Sequence, residues 1–340
     1  MALAPIASEA IVASAGVKRR PAGWEISVAT KGIGQSGENQ LIRNAILIAG
    51  PTASGKSRLA LELATRLGGM AINADSMQVY SVLDILTARP GAETAQIPHL
   101  LYGHVHPSIA YSTGAWMRDA VTQAEPEMFG GRRPIFVGGT GLYFRALEKG
   151  MSRMPEVPDQ VRSKWRGELA EKGPDALHGV LTRMDARAAE TLKPGDSQRI
   201  VRALEVFDSS GRSILDWQAE RGRPLVDLDS ATFLVLEPER EELVARINRR
   251  FDTMIEAGAL DEVRALAALD LDPALPATKA IGFRELQAAL SGTISMAEAM
   301  ERAKIATRQY AKRQSTWFRN QLGPHWRRFS DAEDAVEQLV

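Results

Sequence analysis

The chain has no cysteine in its 340 residues. That absence removes disulfides, thiol nucleophiles and cysteine-ligated zinc together, and it fits a reducing cytoplasm. No run reaches the ~18 consecutive apolar residues of a membrane span, so no membrane partner is expected. Net charge is absent too, with 42 Lys and Arg against 42 Asp and Glu. A neutral chain has no overall attraction for nucleic acid, and any such binding must come from a local patch. The remainder is ordinary for a globular enzyme: 44% hydrophobic and 25% charged residues, in a chain long enough for one large domain or a core with an inserted module.

Within this plain composition one segment is specific. Gly50-Pro51-Thr52-Ala53-Ser54-Gly55-Lys56-Ser57 fits the phosphate-binding pattern G-x-x-x-x-G-K-[ST]. The apolar run Ala45–Ala49 before it suits a buried parallel strand. Residues Arg58–Leu67 after it are helix formers and stop at Gly68-Gly69. Such a loop turns backbone N–H groups around a phosphate at the positive end of a helix. Lys56 adds a mobile positive charge, and the Ser57 hydroxyl is a candidate ligand for Mg²⁺. The chain is expected to bind a diphosphate or polyphosphate.

Three further strands are expected at Met70–Ala74, Pro134–Val137 and Thr232–Leu236, alternating with helical stretches. This pattern predicts an α/β fold, a parallel sheet carrying the phosphate loop and flanked by helices. Ligands bind beyond the carboxyl ends of such strands, so the first three are expected to share one site. Between about 155 and 224 strand-like runs vanish, and Arg-, Glu- and Ala-rich helices are broken at Gly173-Pro174 and Lys193-Pro194-Gly195. The expected organisation is a disordered extension over 1–42, a core over 43–154 and 225–330, an inserted helical module over 155–224, and a tail over 331–340.

The second strand delivers Asp75-Ser76-Met77-Gln78. Asp75 is the first candidate for a general base, with metal coordination or helix capping as alternatives. Ser76 and Gln78 suit either base-edge recognition or local capping. The third strand ends in Gly138-Gly139-Thr140-Gly141, without the acidic metal partner of a kinase or NTP hydrolase. Its adjacent glycines would permit close approach to a ligand, and Thr140 would place a hydroxyl in the site. From Arg302 to Phe329 no acidic residue occurs, while Arg302, Lys304, Arg308, Lys312, Arg313, Arg319, Arg327 and Arg328 do. Lys304, Arg308 and Lys312 recur at i, i+4 on one helical face, with Tyr310, Trp317, Phe318 and Trp326 interleaved. An RNA surface and an ordinary solvated helix account for that pattern equally well.

Taken together, GPTASGKS (50–57), INADSMQVY (72–80), TARP (87–90), PHLLYGHVHP (98–107), YSTGAW (111–116), VGGTGLYFRAL (137–147), DSQRIVRALEV (196–206), KAIGFRE (279–285) and TRQYAKRQSTWFR (307–319) resemble the bacterial tRNA dimethylallyltransferases over most of residues 44–329. The resemblance implies transfer of a dimethylallyl group from dimethylallyl diphosphate to N6 of the adenosine beside the anticodon, by a cytoplasmic monomer using Mg²⁺. It implies Asp75 as base and Thr140 as a contact to the substrate nucleoside. It assigns residues 50–57 and Arg284 to the diphosphate. It assigns Ser76, Met77, Gln78, Arg162, Gln198, Arg199, Arg202, Lys279, Lys312, Arg313 and Arg319 to the anticodon stem-loop, which tips the C-terminal patch towards RNA. No Asp-Asp-x-x-Asp pair of a chain-elongating prenyl synthase is present.

Overall fold

A computed structural model describes residues 41–91, 96–123, 130–220 and 222–339. The extension expected over 1–42 lies outside these residues up to position 40. Ile42 already belongs to the folded body: it is buried, and its N–H donates to the Leu225 carbonyl at 2.8 Å.

Six parallel strands form one sheet in the order β3-β2-β4-β1-β5-β6. They are β1 (Ile46–Ala49), β2 (Gly69–Asn73), β3 (His99–Leu100), β4 (Arg133–Gly138), β5 (Thr232–Leu236) and β6 (Arg327–Phe329). The four strands expected from apolar runs are β1, β2, β4 and β5. The two edge strands are additional. β1 carries nothing but buried residues, as a central strand covered on both faces requires.

Helices cover both faces. α1 (Lys56–Leu67) buries Leu59, Ala60, Leu63 and Ala64 on one side of the sheet, beside the C-terminal helix Ala332–Glu337. Residues 331–340 are therefore no tail throughout: Ala332, Ala335 and Val336 are buried in that core, where small apolar residues at helical spacing dock on α1. The other face holds α2 (Thr113–Gln123) and α3 (Gly141–Lys149), with Trp116 stacked on Tyr143 at 4.1 Å between centroids.

Residues 159–219 are helical: α4 (Asp159–Met184), α5 (Ala186–Glu190), α6 (Ser197–Ser210) and α7 (Ile214–Ala219). They pack around a core of their own that includes Trp165, Leu177, Leu181, Ile200, Leu204 and Ile214. The backbone leaves the helical region at Gly173 (φ 77°), ahead of Pro174, so α4 is two helices joined at a kink.

The chain returns through β5 to α8 (Arg240–Glu256), α9 (Ala259–Ala267), α10 (Phe283–Leu290) and the long α11 (Met296–Gln321), which packs on α8, α10 and α3. Among the described residues no helix is long and apolar enough to cross a membrane.

Candidate active site

The strand order builds the site. β4 lies between β1 and β2, with Ala49 beside Gly138 and Asn73 beside Val137. The phosphate loop after β1, Asp75 after β2 and the glycine turn after β4 therefore emerge side by side at one sheet edge, as expected for an open parallel sheet.

The strand-end turn of Asp75 is over-determined. Its N–H donates to Asn73 Oδ1 at 2.8 Å, and its own Oδ1 accepts the Met77 N–H at 3.0 Å. Fully buried Asn73 also donates to the carbonyls of Asp75 and Leu101, both at 3.0 Å, and its carbonyl accepts the Trp116 indole N–H at 2.8 Å. Asn73 thus fixes the half-buried catalytic candidate, a role the motif alone did not single out. Thr140 Oγ1 accepts the Ser76 N–H at 2.9 Å and donates to Ser76 Oγ at 3.2 Å, so it joins the turn after β4 to the turn after β2. Gln78 is committed elsewhere: its Nε2 donates to the carbonyls of Thr87 and Ala88, at 2.9 and 3.1 Å. That leaves only its oxygen for a ligand.

The glycine turn approaches protein, where the sequence suggested a ligand. A Cβ on Gly139 would lie 2.2 Å from Gln314 Nε2 and 3.1 Å from Asp75 Oδ2, and one on Gly141 would strike the Trp317 ring at 2.2 Å. These glycines let α11 press against the site.

The phosphate loop is held from two sides. Gln314 Oε1 accepts the Thr52 N–H at 2.9 Å, while Arg250 Nη2 donates to Thr52 Oγ1 at 2.5 Å and Arg246 Nη1 to the Ser54 carbonyl at 3.4 Å. Lys56 Nζ turns back to the Pro51 carbonyl at 3.2 Å. Burial lowers its pKa to about 8, with Asp75 opposing that shift and Arg250 adding to it. Arg250 is lowered by burial to about 10 and supported by Asp75. Lys56, Asp75 and Arg250 thus share one electrostatic field. The hydroxyls of Tyr102, Tyr143 and Tyr310 feel the same carboxylate, which joins burial in keeping them protonated. Ser54 Oγ is buried with no hydrogen-bond partner among the described residues, packed close to Gly50.

Among the described residues Arg284, expected on the diphosphate, makes no hydrogen bond to the phosphate loop. It is exposed on α10, where its side chain makes a long hydrogen bond, 3.5 Å to the Pro273 carbonyl. Arg250, by contrast, bonds Thr52 of that loop directly. Replacing Arg250 by Ala should raise the KM for a diphosphate donor about 10- to 10²-fold, because a charge-assisted bond is removed. Arg284→Ala should leave that KM unchanged in steady-state kinetics.

The basic patch divides in two. Arg302 pairs with Glu298 at 2.5 Å, Lys304 with Asp252 at 2.5 Å, Arg308 with Glu301 at 2.9 Å and Arg328 with Glu237 at 2.8 Å. Those cations serve the fold. Lys312, Arg313 and Arg319 are exposed with no acidic partner among the described residues. An open cavity of about 520 Å³ runs along this face, lined by Gln309, Lys312, Arg313, Thr316, Trp317 and Asn320. The remaining candidates lie elsewhere. Arg162 on α4 donates to the Val157 carbonyl at 3.2 Å, and Gln198, Arg199 and Arg202 line α6, with Arg199 bridged to Asp196 and Arg202 to Glu205. Lys279 is exposed at the end of a 3₁₀ turn, Pro276–Lys279.

Known proteins resemble this chain in sequence and in fold. The family described as IPP transferase matches residues 78–321. A tRNA dimethylallyltransferase of Mesorhizobium japonicum is 65% identical over 303 residues, covering 88% of this chain and 94% of that protein. One of Chelativorans sp. is 58% identical over 287 residues, covering 84% and 98%. The crystal structure of the full-length tRNA isopentenylpyrophosphate transferase from Bacillus halodurans superposes with a TM-score of 0.60 at 32% identity, covering 87% of this chain and 93% of that one. A eukaryotic dimethylallyltransferase acting on tRNA gives 0.72 at 30% identity, covering 86% and 75%. The family match begins just after the phosphate loop and Asp75, but the curated relatives extend the likeness over more of the chain. With that coverage and identity, on the sheet and the strand-end site described above, the chain belongs to the IPP transferase family.

Proposed function

We propose that the chain transfers a dimethylallyl group from dimethylallyl diphosphate to N6 of the adenosine next to the anticodon of tRNA, in the cytoplasm. The observation that carries this reading is the juxtaposition of a carboxylate with a phosphate cradle: Asp75 and the loop that carries Lys56 leave the sheet at one edge, and Arg250 bonds Thr52 of that loop. The adenine N6 attacks C1 of the dimethylallyl group, the C1–O bond breaks, and diphosphate departs with the bonding electron pair. Asp75 accepts the N6 proton as the C–N bond forms, a contribution of about 10² to 10⁴ in rate. Lys56, Arg250 and the free N–H groups at the start of α1 receive the charge that gathers on the departing oxygen.

Mg²⁺ fits the donor set in one respect. Ser57 offers an exposed hydroxyl, and no cluster of three or more His, Asp or Glu among the described residues forms a protein cage. An ion that arrives on a diphosphate and keeps its waters needs no such cage. Ser57 would hold it, and when bound it supplies charge neutralisation on the leaving group.

The target adenine must leave its stack to reach a strand-end pocket. Lys312, Arg313 and Arg319 grip the phosphates around it, while Arg162, Gln198, Arg199, Arg202 and Lys279 hold more of the anticodon stem-loop. The test is mass spectrometry of tRNA nucleosides after incubation with dimethylallyl diphosphate and Mg²⁺. N6-dimethylallyladenosine is expected beside the anticodon; unmodified tRNA, or ADP release coupled to product when ATP is supplied, would sink the reading.

Lys56 gives a pH test. Its positive charge binds the donor and is lost as pH rises through about 8, so donor KM should climb above that pH. Lys56→Arg, which stays protonated, should flatten the profile.

A further inference from the structure

The side-chain amide of Gln314 reaches from α11 to both reacting ends of the site. It is buried, at 6% exposure, on the helix face that also buries Ala311 and Phe318, where spacing alone would place an apolar residue. Its oxygen accepts the Thr52 N–H at 2.9 Å in the phosphate loop, and its nitrogen donates to the Gly139 carbonyl at 2.9 Å in the turn after β4. The two partners fix the orientation of the amide, since one needs an acceptor and the other a donor. Gly139 has no side chain to obstruct it, and Asp75 Oδ2 borders the same space. Lys312 and Arg313 immediately precede Gln314 and lie exposed on the same helical turn.

We propose that Gln314 is a positioning residue: it clamps the phosphate loop and the glycine turn to α11, so that the donor and the acceptor base meet at a fixed separation. The inference rests on the prenyl-transfer reading above. The helix that grips RNA on its outer face thereby also sets the loop that holds the donor, on its inner face. A displacement of about 1 Å between reacting groups costs on the order of 10²-fold in rate. A leucine of similar volume offers neither hydrogen bond, while a glutamate keeps the shape and the acceptor but donates only when protonated.

The experiment is single-turnover transfer with the full chain, saturating tRNA, dimethylallyl diphosphate and Mg²⁺, alongside tRNA affinity and melting temperature. Wild-type transfer tests the reading of function by itself. Given that transfer, Gln314→Leu should fall about 10²-fold in rate per folded molecule with tRNA affinity unchanged, because Lys312, Arg313 and Arg319 remain. Gln314→Glu should show a rate, relative to wild type at each pH, that declines as pH rises and the carboxyl loses its proton. A folded Gln314→Leu enzyme with the wild-type rate would overturn the proposal. If the leucine variant does not fold, a Gln314→Glu to wild-type ratio of one at every pH would overturn it instead.

Discussion

Asp75→Asn should slow dimethylallyl transfer by at least about 10²-fold while both substrates still bind, since the substitution removes proton acceptance and little else. The geometry makes it a clean change. An asparagine oxygen can still accept the Met77 N–H, now 3.0 Å from Oδ1, and the backbone N–H of residue 75 keeps its bond to Asn73 at 2.8 Å. The turn is therefore retained. Electrostatics supply an internal control. The Asp75 charge raises the pKa of Lys56, so its removal lets that pKa fall below about 8 and shifts the rise in donor KM to lower pH. Below that range donor KM should be equal to or lower than in the wild type, because a negative charge has left the neighbourhood of a diphosphate. A slow enzyme with sound donor binding separates loss of the base from collapse of the site. A near-normal single-turnover rate would mean another group takes the proton.

The parts of this site that were legible in the sequence share one property: they follow apolar strands. β1, β2, β4 and β5 are short buried runs, and each of the first three hands its polar residues straight to the sheet edge, so the phosphate loop, Asp75 and Thr140 could be placed together from spacing alone. β6 was hidden because its sequence is Arg327-Arg328-Phe329, an edge strand whose two exposed cations read as part of a basic patch. Arg328 there is bound to Glu237 at 2.8 Å. β3 has two residues, too few for any period. Arg250 and Gln314 were hidden for a different reason. Their bonds to Thr52 join positions far apart in the chain, and a long-range pairing leaves no local pattern. The available hint was a mismatch, a glutamine at an apolar position of α11, and such departures from local pattern tend to fall at functional sites. The charge run at 302–328 misled in proportion to its length: acids on α8, and on earlier turns of α11, neutralise Lys304 and Arg308, and one-dimensional counting does not see across helices.

Alanine at Lys312, Arg313 and Arg319 together should lower tRNA affinity by a large factor in a protein that folds normally. None of the three has an acidic partner among the described residues. Arg313 leans on the Tyr310 ring at 5.8 Å, an interaction worth only about 0.5–1 kcal/mol at an exposed site. The melting temperature should therefore hold. Each phosphate that no longer meets a cation keeps its counterions, which flattens the log–log salt dependence of binding by roughly 0.7 to 0.9. Removing three cations should thus reduce the slope by about two to three. Donor affinity is the control, since Lys56, Arg250 and Gln314 are untouched. The contrast with a second variant sharpens the result. Lys304→Ala and Arg308→Ala break pairs with Asp252 and Glu301, at 2.5 and 2.9 Å, that tie α11 to α8 and to its own preceding turn. That pair of changes should lower the melting temperature with little effect on the salt slope. If binding across a salt series instead follows Lys304 and Arg308, while the triple variant keeps wild-type affinity, the RNA-facing surface of α11 lies one to two turns nearer the N-terminus of that helix.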